Sequence, residues 1–574
     1  MRIKSIFNFH SITKMSNFEL PSYYSNKKFN IEQNVLDDLE LNKHDDSTYK
    51  YILNPTHEYS NLNIQKWCTH VSYDKKYLKD TQCLLKKHVH NNLPKPLESW
   101  NIIKSEGSFK EKYNYFDWKY LEPLNHSKTV LGLLSILHIA SPIMSLIFPI
   151  IGMIIPYFML RFTGARVSFG MYWKMIMMGL KNHFIGKLFF NFFSLPLHEK
   201  ISVLFSLIMY VLQVYQNIKS CIRFFKNIKY IHNVLEEYKI YISDTIDKMN
   251  YMESQCDGLK SYKPFIDNMN THKHCLNETL MYLQKIGPFS YNLKETFEWG
   301  NMMEIFYKLY FNNDIENAIN YSFNFIGYID NLNGLKLNIN AKHIGRATFA
   351  KKSLTIKDGY YANHKNIDHI NNTFTLKKNM IITGPNASGK TTILKSTLLN
   401  IIFSQQFGYG FYKSANIPLY QSLSSYLNIP DTSNRDSLFQ AEARRCKDIL
   451  AKFENKSGKH FCIFDELYSG TNPYEAIATA FAFINYLTKN IPKLDFMVTT
   501  HYIDLCEKLE IHNNNVCNMK MKTQENNDDS FNYLYELENG ISDIKGGIIV
   551  LKDLDYPAEI IENTKKILNN IRLK

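Results

Sequence analysis

Residues 129–160, TVLGLLSILHIASPIMSLIFPIIGMIIPYFML, hold no formal charge and one histidine, His138. A bilayer crossing takes about 20 apolar residues, so this run suffices for one long membrane helix or for a re-entrant pair broken near Pro142 and Pro149. Lys128 and Arg161 flank it, where cations reach back to headgroups. Soluble cores rarely require so long an uncharged stretch, which favours insertion over burial. A second run, 201–218, is shorter, carries Gln213 and Gln216, and reads either as a second span or as a buried helix. The period then changes. Val234, Leu235, Tyr238, Tyr241, Ile242, Ile246, Met249 and Met252 recur at three and four, as do Phe297, Met302, Ile305, Phe306, Leu309, Ile315, Ile319 and Phe323. That spacing predicts amphipathic helices, with breaks at 312–314 and 331–334. Beyond about residue 346, short apolar runs alternate with helical stretches, the pattern of an α/β domain.

The first of those α/β stretches is NMIITGPNASGKTTILKSTLLNII, which reads strand, loop, helix. Gly384 to Thr391 fits G-x-x-x-x-G-K-[ST]. Gly384 and Gly389 let backbone N–H groups close around phosphate oxygens, and the following helix aims its positive end at them. The cradle runs through Pro385, Asn386, Ala387 and Ser388 and on to Thr392. Lys390 places an ammonium on the β- and γ-phosphates, and Thr391 offers a hydroxyl to Mg2+. The cofactors expected are therefore ATP and Mg2+. Downstream, HFCIFDELYSGTNPYEA is an apolar strand ending in Asp465 and Glu466. Asp465 is the candidate second magnesium ligand, acting through water, and Glu466 the candidate general base. Taken alone, such a strand end is more often structural; paired with the phosphate loop it is functional. A third strand, DFMVTTHY, ends at His501, placed to sense the γ-phosphate.

Composition adds less. The chain has 574 residues, enough for two to four domains, with 45% hydrophobic and 21% charged residues. A formal charge of +13 suits a polyanionic partner, nucleic acid or an anionic membrane face. Nine scattered cysteines contain no C-x-x-C, which excludes a disulfide framework and points to a reducing compartment such as cytoplasm or nucleus. His272, His274 and Cys275 form a local cluster of metal-ligand types, but no second ligand pair stands at zinc spacing, so they read as a solvated polar turn. The N-terminus, with Arg2, Lys4 and Lys14 and no acid before Glu19, slightly resembles a transit peptide; it lacks a secretory apolar core, and Met15 is an alternative start.

The ordered motifs TGPNASGKTT, DSLFQAEARRCKDIL, DELYSGTNPYEA and TTHY resemble the ATPase domain of the MutS family of DNA mismatch-repair proteins. The Gly-Pro-Asn opening of the loop, the signature helix at Ser437, Leu438, Phe439 and Glu442, the Gly470-Thr471 and Tyr474 after the acidic pair, and Thr500-His501-Tyr502 carry the likeness. The closing stretch 535–568 is similar to the family's domain end, and IGYIDNLNGLKLN resembles the Asp-centred helix that enters the ATPase. The likeness covers residues 320–570 well and 219–319 loosely. It implies an α/β P-loop ATPase domain of the ABC type, preceded by a mainly helical lever or clamp region. It implies a dimer, with itself or a related subunit, in which Ser437 reaches in trans to the partner's ATP. It also implies DNA as a partner and DNA-dependent ATP hydrolysis in mismatch repair or in recognition of DNA structures.

The organisation expected is residues 1–105 with no role assigned and 106–218 as an apolar helical region. Residues 219–345 follow as the lever-like region, then 346–556 as the ATPase and 557–574 as a terminal helix. Several family features are missing. Tyr468-Ser469 stands where the family has Gly-Arg, and the mismatch-reading domain with its Phe-x-Glu wedge is not found; Phe109-Lys110-Glu111 is a chance match before the apolar run. The family's C-terminal helix-turn-helix tail is not expected. Tyr360, Tyr361 and His369 are candidates to stack on adenine, with no ground for choosing. The alternative is a membrane-tethered ABC-type ATPase, for transport or as a structural tether, without mismatch recognition. Against a transporter, no Leu-Ser-Gly-Gly-Gln stretch lies between Lys390 and Asp465. The expected location is a membrane through 129–160, or a soluble one if that run is a core helix.

Overall fold

The structure is a computed structural model that describes all residues except 1–16, 43–46, 165–167, 291–295, 351–352, 365–368, 428–436, 455–457, 526–530, 543–547, 549–550, 552–553 and 573–574. Arg2, Lys4, Lys14 and Met15 thus lie outside the described residues, as does part of the closing stretch 535–568. The chain divides into two units, one of residues 1–93, 247–272 and 320–574, the other of 94–246 and 273–319.

In the first unit, β1 (Lys28–Asn30) and β2 (His70–Ser72) pair antiparallel. They are followed by β3 (Gly345–Thr348), β4 (Leu354–Gly359), β5 (Asn372–Leu376) and β6 (Asn379–Thr383). Next come β7 (Tyr409–Gly410), β8 (Ser414–Asn416), β9 (Ser422–Tyr426) and β10 (His460–Asp465). The last are β11 (Leu494–Thr499), β12 (Val516–Glu525) and β13 (Phe531–Asn539). One sheet has the order β13-β12-β6-β11-β10-β9 and the other β5-β4-β8-β3-β7. Within the larger sheet every pair is parallel except β12 with β13. Its central strands are buried on both faces, which is why they read as unbroken apolar runs instead of alternating ones. Phe464, Phe496 and Val498 pack there with Ile449, Ala480 and Ile484 of the helices Leu438–Glu454 and Pro473–Asn490.

Residues 17–93 belong to this unit and are bound to it by buried side chains. Gln405 donates to the carbonyls of Ser72 and Tyr420, and Gln406 to those of Trp67 and His70 while accepting from the Tyr49 hydroxyl. Gln82 donates to the carbonyls of Ala347 and Gly408. Asp330, on the helix Asn313–Asn340, accepts from the Thr56 N–H, the Thr56 hydroxyl and the His57 N–H at 2.8, 2.7 and 2.9 Å. Nearby, Asn331 accepts from the Trp67 indole, and Asn338 donates to the carbonyls of Tyr51 and Ile52. The Asn- and Asp-rich stretch of this helix is therefore a buried polar seam. His272 and His274 lie on the helix Lys263–Leu283, not in a turn; His272 stacks on Tyr321 at 4.0 Å, and His274 faces Glu278 one turn on.

The second unit is helical. Lys128–Phe162 is one continuous helix through Pro142 and Pro149. Its first turns pack on Thr296–Phe311 so closely that a Cβ at Gly300 would lie 2.1 Å from the Lys128 carbonyl oxygen. The run 201–218 opens the helix Leu197–Gln255, whose later stripe of Val234, Leu235, Tyr238, Tyr241, Ile242 and Ile246 is buried. Phe109 is a core residue, stacked on Tyr310 at 3.8 Å.

Replacing Asp330 with Ala takes the acceptor from two part-buried N–H groups and a hydroxyl. The expected cost is about 2–4 kcal/mol. It should appear as a lower denaturant midpoint with faster amide exchange across residues 49–67; unchanged exchange there would refute the seam's role.

Candidate nucleotide-binding site

Strand register builds the site. Asp465 pairs with Thr499, Thr499 with Ile382, and Thr383 with Lys520, so β6, β10 and β11 end at one level. Ligands of open parallel sheets bind beyond such carboxyl ends. The loop after β6 turns through Ala387 (φ 62°) and Gly389 (φ 93°) into the helix Lys390–Phe407. A Cβ at Gly389 would stand 3.2 Å from the Tyr535 ring in addition to the positive φ, so the second loop glycine is required twice over. Ser388 is buried and its hydroxyl donates to the Pro385 carbonyl at 2.8 Å.

The side chains expected from sequence converge here. Thr391 Oγ1 donates to Asp465 Oδ2 at 2.8 Å. Thr499 holds the other Asp465 oxygen through its hydroxyl. Lys390 Nζ donates to the carbonyls of Gly384 and Pro385 at 3.0 and 3.1 Å and stands 3.2 Å from His501 Nε2. That same nitrogen lies 2.9 Å from Glu466 Oε1. One imidazole nitrogen cannot accept from Lys390 and donate to Glu466 at once. Donation to Glu466 leaves Lys390 with its two carbonyls; accepting from Lys390 sets a lone pair against the carboxylate.

The His501 hydrogen bond holds the Glu466 carboxyl below the ordinary carboxylate range, against a rise from burial. Burial lowers the Lys390 pKa, and Glu466 and Asp465 oppose that shift. Glu466 itself sits at φ 52°, its N–H donating to the Thr499 carbonyl and hydroxyl at 3.1 and 3.2 Å. A non-glycine residue held there by neighbouring groups is a strained backbone position of the kind found at functional sites.

Beside the loop opens a cleft of about 620 Å³, within the range of small-molecule sites. Asn386, Ala387, Gly389, Lys390, Thr391, Thr392 and Glu466 line one part of it, and Tyr360, Tyr361, His369 and Ile370 another. Tyr360 and His369 stack on each other at 3.8 Å and 18°, and burial raises the phenols of Tyr360 and Tyr361 to about 12. Met521 and Tyr535 complete the lining from β12 and β13, and no local signal in the sequence marks them. Ser437 is not among the lining residues. It caps its own helix, its N–H donating to Gln440 Oε1 and its hydroxyl accepting from the Gln440 N–H, a reciprocal capping pair. Glu442 of that helix is buried and accepts from the Ser469 hydroxyl and the Gly470 N–H, so the serine at the position of the family's arginine has a carboxylate partner within the chain.

Residues 380–572 match the family model for MutS domain V. The chain carries a MutS domain V. Its relatives include the DNA mismatch repair protein MutS of Bacteroides fragilis, 30% identical over 229 residues, or 40% of this chain and 25% of that protein. The MutS of Finegoldia magna is 31% identical over 192 residues, 33% of this chain and 22% of that protein. The MutS of Streptococcus pneumoniae serotype 19F is 27% identical over 255 residues, 43% and 30% of the two chains. The chain thus spans about a quarter of the length of these relatives.

Alanine at Gly389 would cost about 1–2 kcal/mol of backbone strain and push on Tyr535. The expected result is a nucleotide affinity at least tenfold weaker in titration with a fluorescent ATP analogue; unaltered affinity would contradict the cradle geometry.

Proposed function

We propose that this chain binds ATP on the loop Gly384–Thr392, hydrolyses it, and uses the cycle in a DNA-sensing dimer of the MutS kind. The observation that carries the reading is the meeting of Lys390, Thr391, Asp465, Glu466 and His501 beyond three aligned parallel strands. Backbone N–H groups of the loop and the Lys390 ammonium bind and orient the triphosphate. Tyr360, Tyr361 and His369 offer the base an aromatic wall. Glu466, kept ionised by His501, accepts a proton from the water that attacks the γ-phosphorus; the bond to the β–γ bridging oxygen breaks, giving ADP and phosphate. Thr391 Oγ1 and Asp465 Oδ2 are hard oxygen donors 2.8 Å apart and fit a magnesium ion, which would neutralise phosphate charge when bound. Binding of the triphosphate draws Lys390 away from His501 and leaves Nε2 to Glu466 alone.

Three further elements belong to this reading. Ser437 of one protomer serves the ATP of its partner, so that nucleotide closes the dimer. DNA is the polyanion that the +13 charge suits. The helix holding residues 129–160 anchors the chain in a lipid bilayer, since many of its large apolar side chains beyond Ser135, such as Leu137, Ile143, Phe148, Phe158 and Met159, are exposed.

Glu466→Gln should keep ATP affinity and lose turnover by about 100-fold or more; equal activity in wild type and variant ends the catalytic reading. His501→Ala removes the main cause that depresses the Glu466 pKa, so the acid limb of kcat/KM should move to higher pH; an unmoved limb would break that link. Stimulation is read with mismatched, branched and homoduplex DNA, and a flat response to all three argues against a DNA sensor.

Lys390→Ala and Ser437→Ala should each be inactive alone. Mixed, they assemble one intact composite site per heterodimer and regain turnover; no recovery would place Ser437 outside the partner's site.

A further inference from the structure

We propose that the chain crosses the bilayer twice, as an antiparallel hairpin of Lys128–Phe162 and the first part of Leu197–Gln255, with the Arg161 and Lys200 ends on the far face. The proposal rests on the membrane reading above and extends it from an anchor to a defined topology.

The two helices are antiparallel neighbours. His138 stacks on Phe224 at 5.0 Å, Cys221 Sγ lies 3.7 Å from the Ile139 carbonyl, and the Tyr210 hydroxyl donates to the Ser145 carbonyl at 3.3 Å. Positions rise along one helix as they fall along the other. Near Lys128 the first helix is packed, with Leu131 and Ser135 fully buried; the second is packed from Phe224 on. Between those points and the turn both expose large apolar side chains, among them Phe148 at 66% and Phe205 at 64%. Tyr172 meets Tyr157 at 4.6 Å and Phe184 meets Tyr210 at 6.0 Å, and the apolar side chains still left open form a surface that water does not favour.

Charge says what covers it. Neither 129–160 nor 201–218 contains an ionic residue. At 1.5 Å per residue, 201–218 is about 27 Å long and 136–160 about 37 Å, close to the roughly 30 Å hydrocarbon layer, the longer one suiting a tilted helix. Both ends of the belt are cationic. Lys219, Arg223 and Lys226 stand at one, level with His138 and Ile139, and Arg161 and Lys200 at the other, where Lys187 pairs with Glu199 at 2.8 Å. That distribution matches two planes of lipid phosphate and not an apolar protein groove. Polar groups inside the belt agree with lipid. The Ser141 and Ser145 hydroxyls return to the carbonyls of His138 and Pro142 at 2.9 and 2.7 Å, and Gln213 and Gln216 lie within two turns of Lys219, near headgroup depth. Beyond the first helix, Phe169–Asn182 exposes Trp173, a ring type that favours the interface.

Trypsin tests the topology on the wild-type full-length chain, synthesised in the presence of phosphatidylcholine–phosphatidylserine vesicles. Added outside intact vesicles, it should cut after Lys128 and Lys219 and leave one protected fragment of about residues 129–219. Detergent should then open that fragment at Arg161, Lys181, Lys187 and Lys200. Cleavage at Lys181 or Lys187 before detergent, with the chain still held in the carbonate-washed pellet, would overturn the hairpin and leave the anchor standing. Protection that persists in detergent would show a compact fold instead of a bilayer and overturn the hairpin as well. Release of the chain by carbonate would end both.

Discussion

Three parallel strands that stop at one level hold this protein's candidate site together. A one-residue slip in a strand turns its side chains to the opposite face. The pairing of Asp465 with Thr499 and of Thr499 with Ile382 therefore fixes more than the sheet. It brings the loop after β6, the acids after β10 and the histidine after β11 to a common edge. Thr499 is the side chain that converts this alignment into a site. Its hydroxyl donates to Asp465 and, with its carbonyl, receives the Glu466 N–H that stabilises an unusual backbone angle. Asp465 and Glu466 are thus oriented by the neighbouring strand and not by their own loop.

The charged groups around the loop satisfy one another. Lys390 is held by two carbonyls of the loop it serves, and Thr391 by Asp465. His501 faces competing demands from Lys390 and Glu466 that a single nitrogen cannot meet together. A ligand carrying several oxyanions resolves the competition, because the lysine then has better acceptors than backbone carbonyls. The site is preorganised in its backbone and adaptable in its side chains.

What the sequence made legible follows the range of the interactions. The loop, the acidic pair and the histidine each sit at the end of an apolar run, so local pattern locates them, and the uncharged stretch 129–160 announces its helix in the same way. Thr499 was visible only as a letter of the Thr-Thr-His-Tyr motif. Met521 and Tyr535 reach the cleft from strands far along the chain, with nothing nearby to mark them. Residues 17–93 were opaque for another reason. They meet the rest of their unit through neutral carboxamides and carboxylates such as Asp38, Asp80 and Asp330, residue types that ordinarily indicate a wet surface. The run Asp330, Asn331, Asn333 and Asn338 reads as a helix break and is in fact buried within a helix.

That burial has a practical side. Gln405 and Gln406 sit in the last turn of the phosphate-loop helix, fully enclosed, and their partners are supplied in large part by Ser72, Trp67, His70 and Tyr49. Excising the ATPase at a boundary drawn from family likeness would strip those partners away. Polar amides and a wide aromatic face would then open on the back of the very helix that grips phosphate. Here the domain is not portable: its amino-terminal cover is part of its interior.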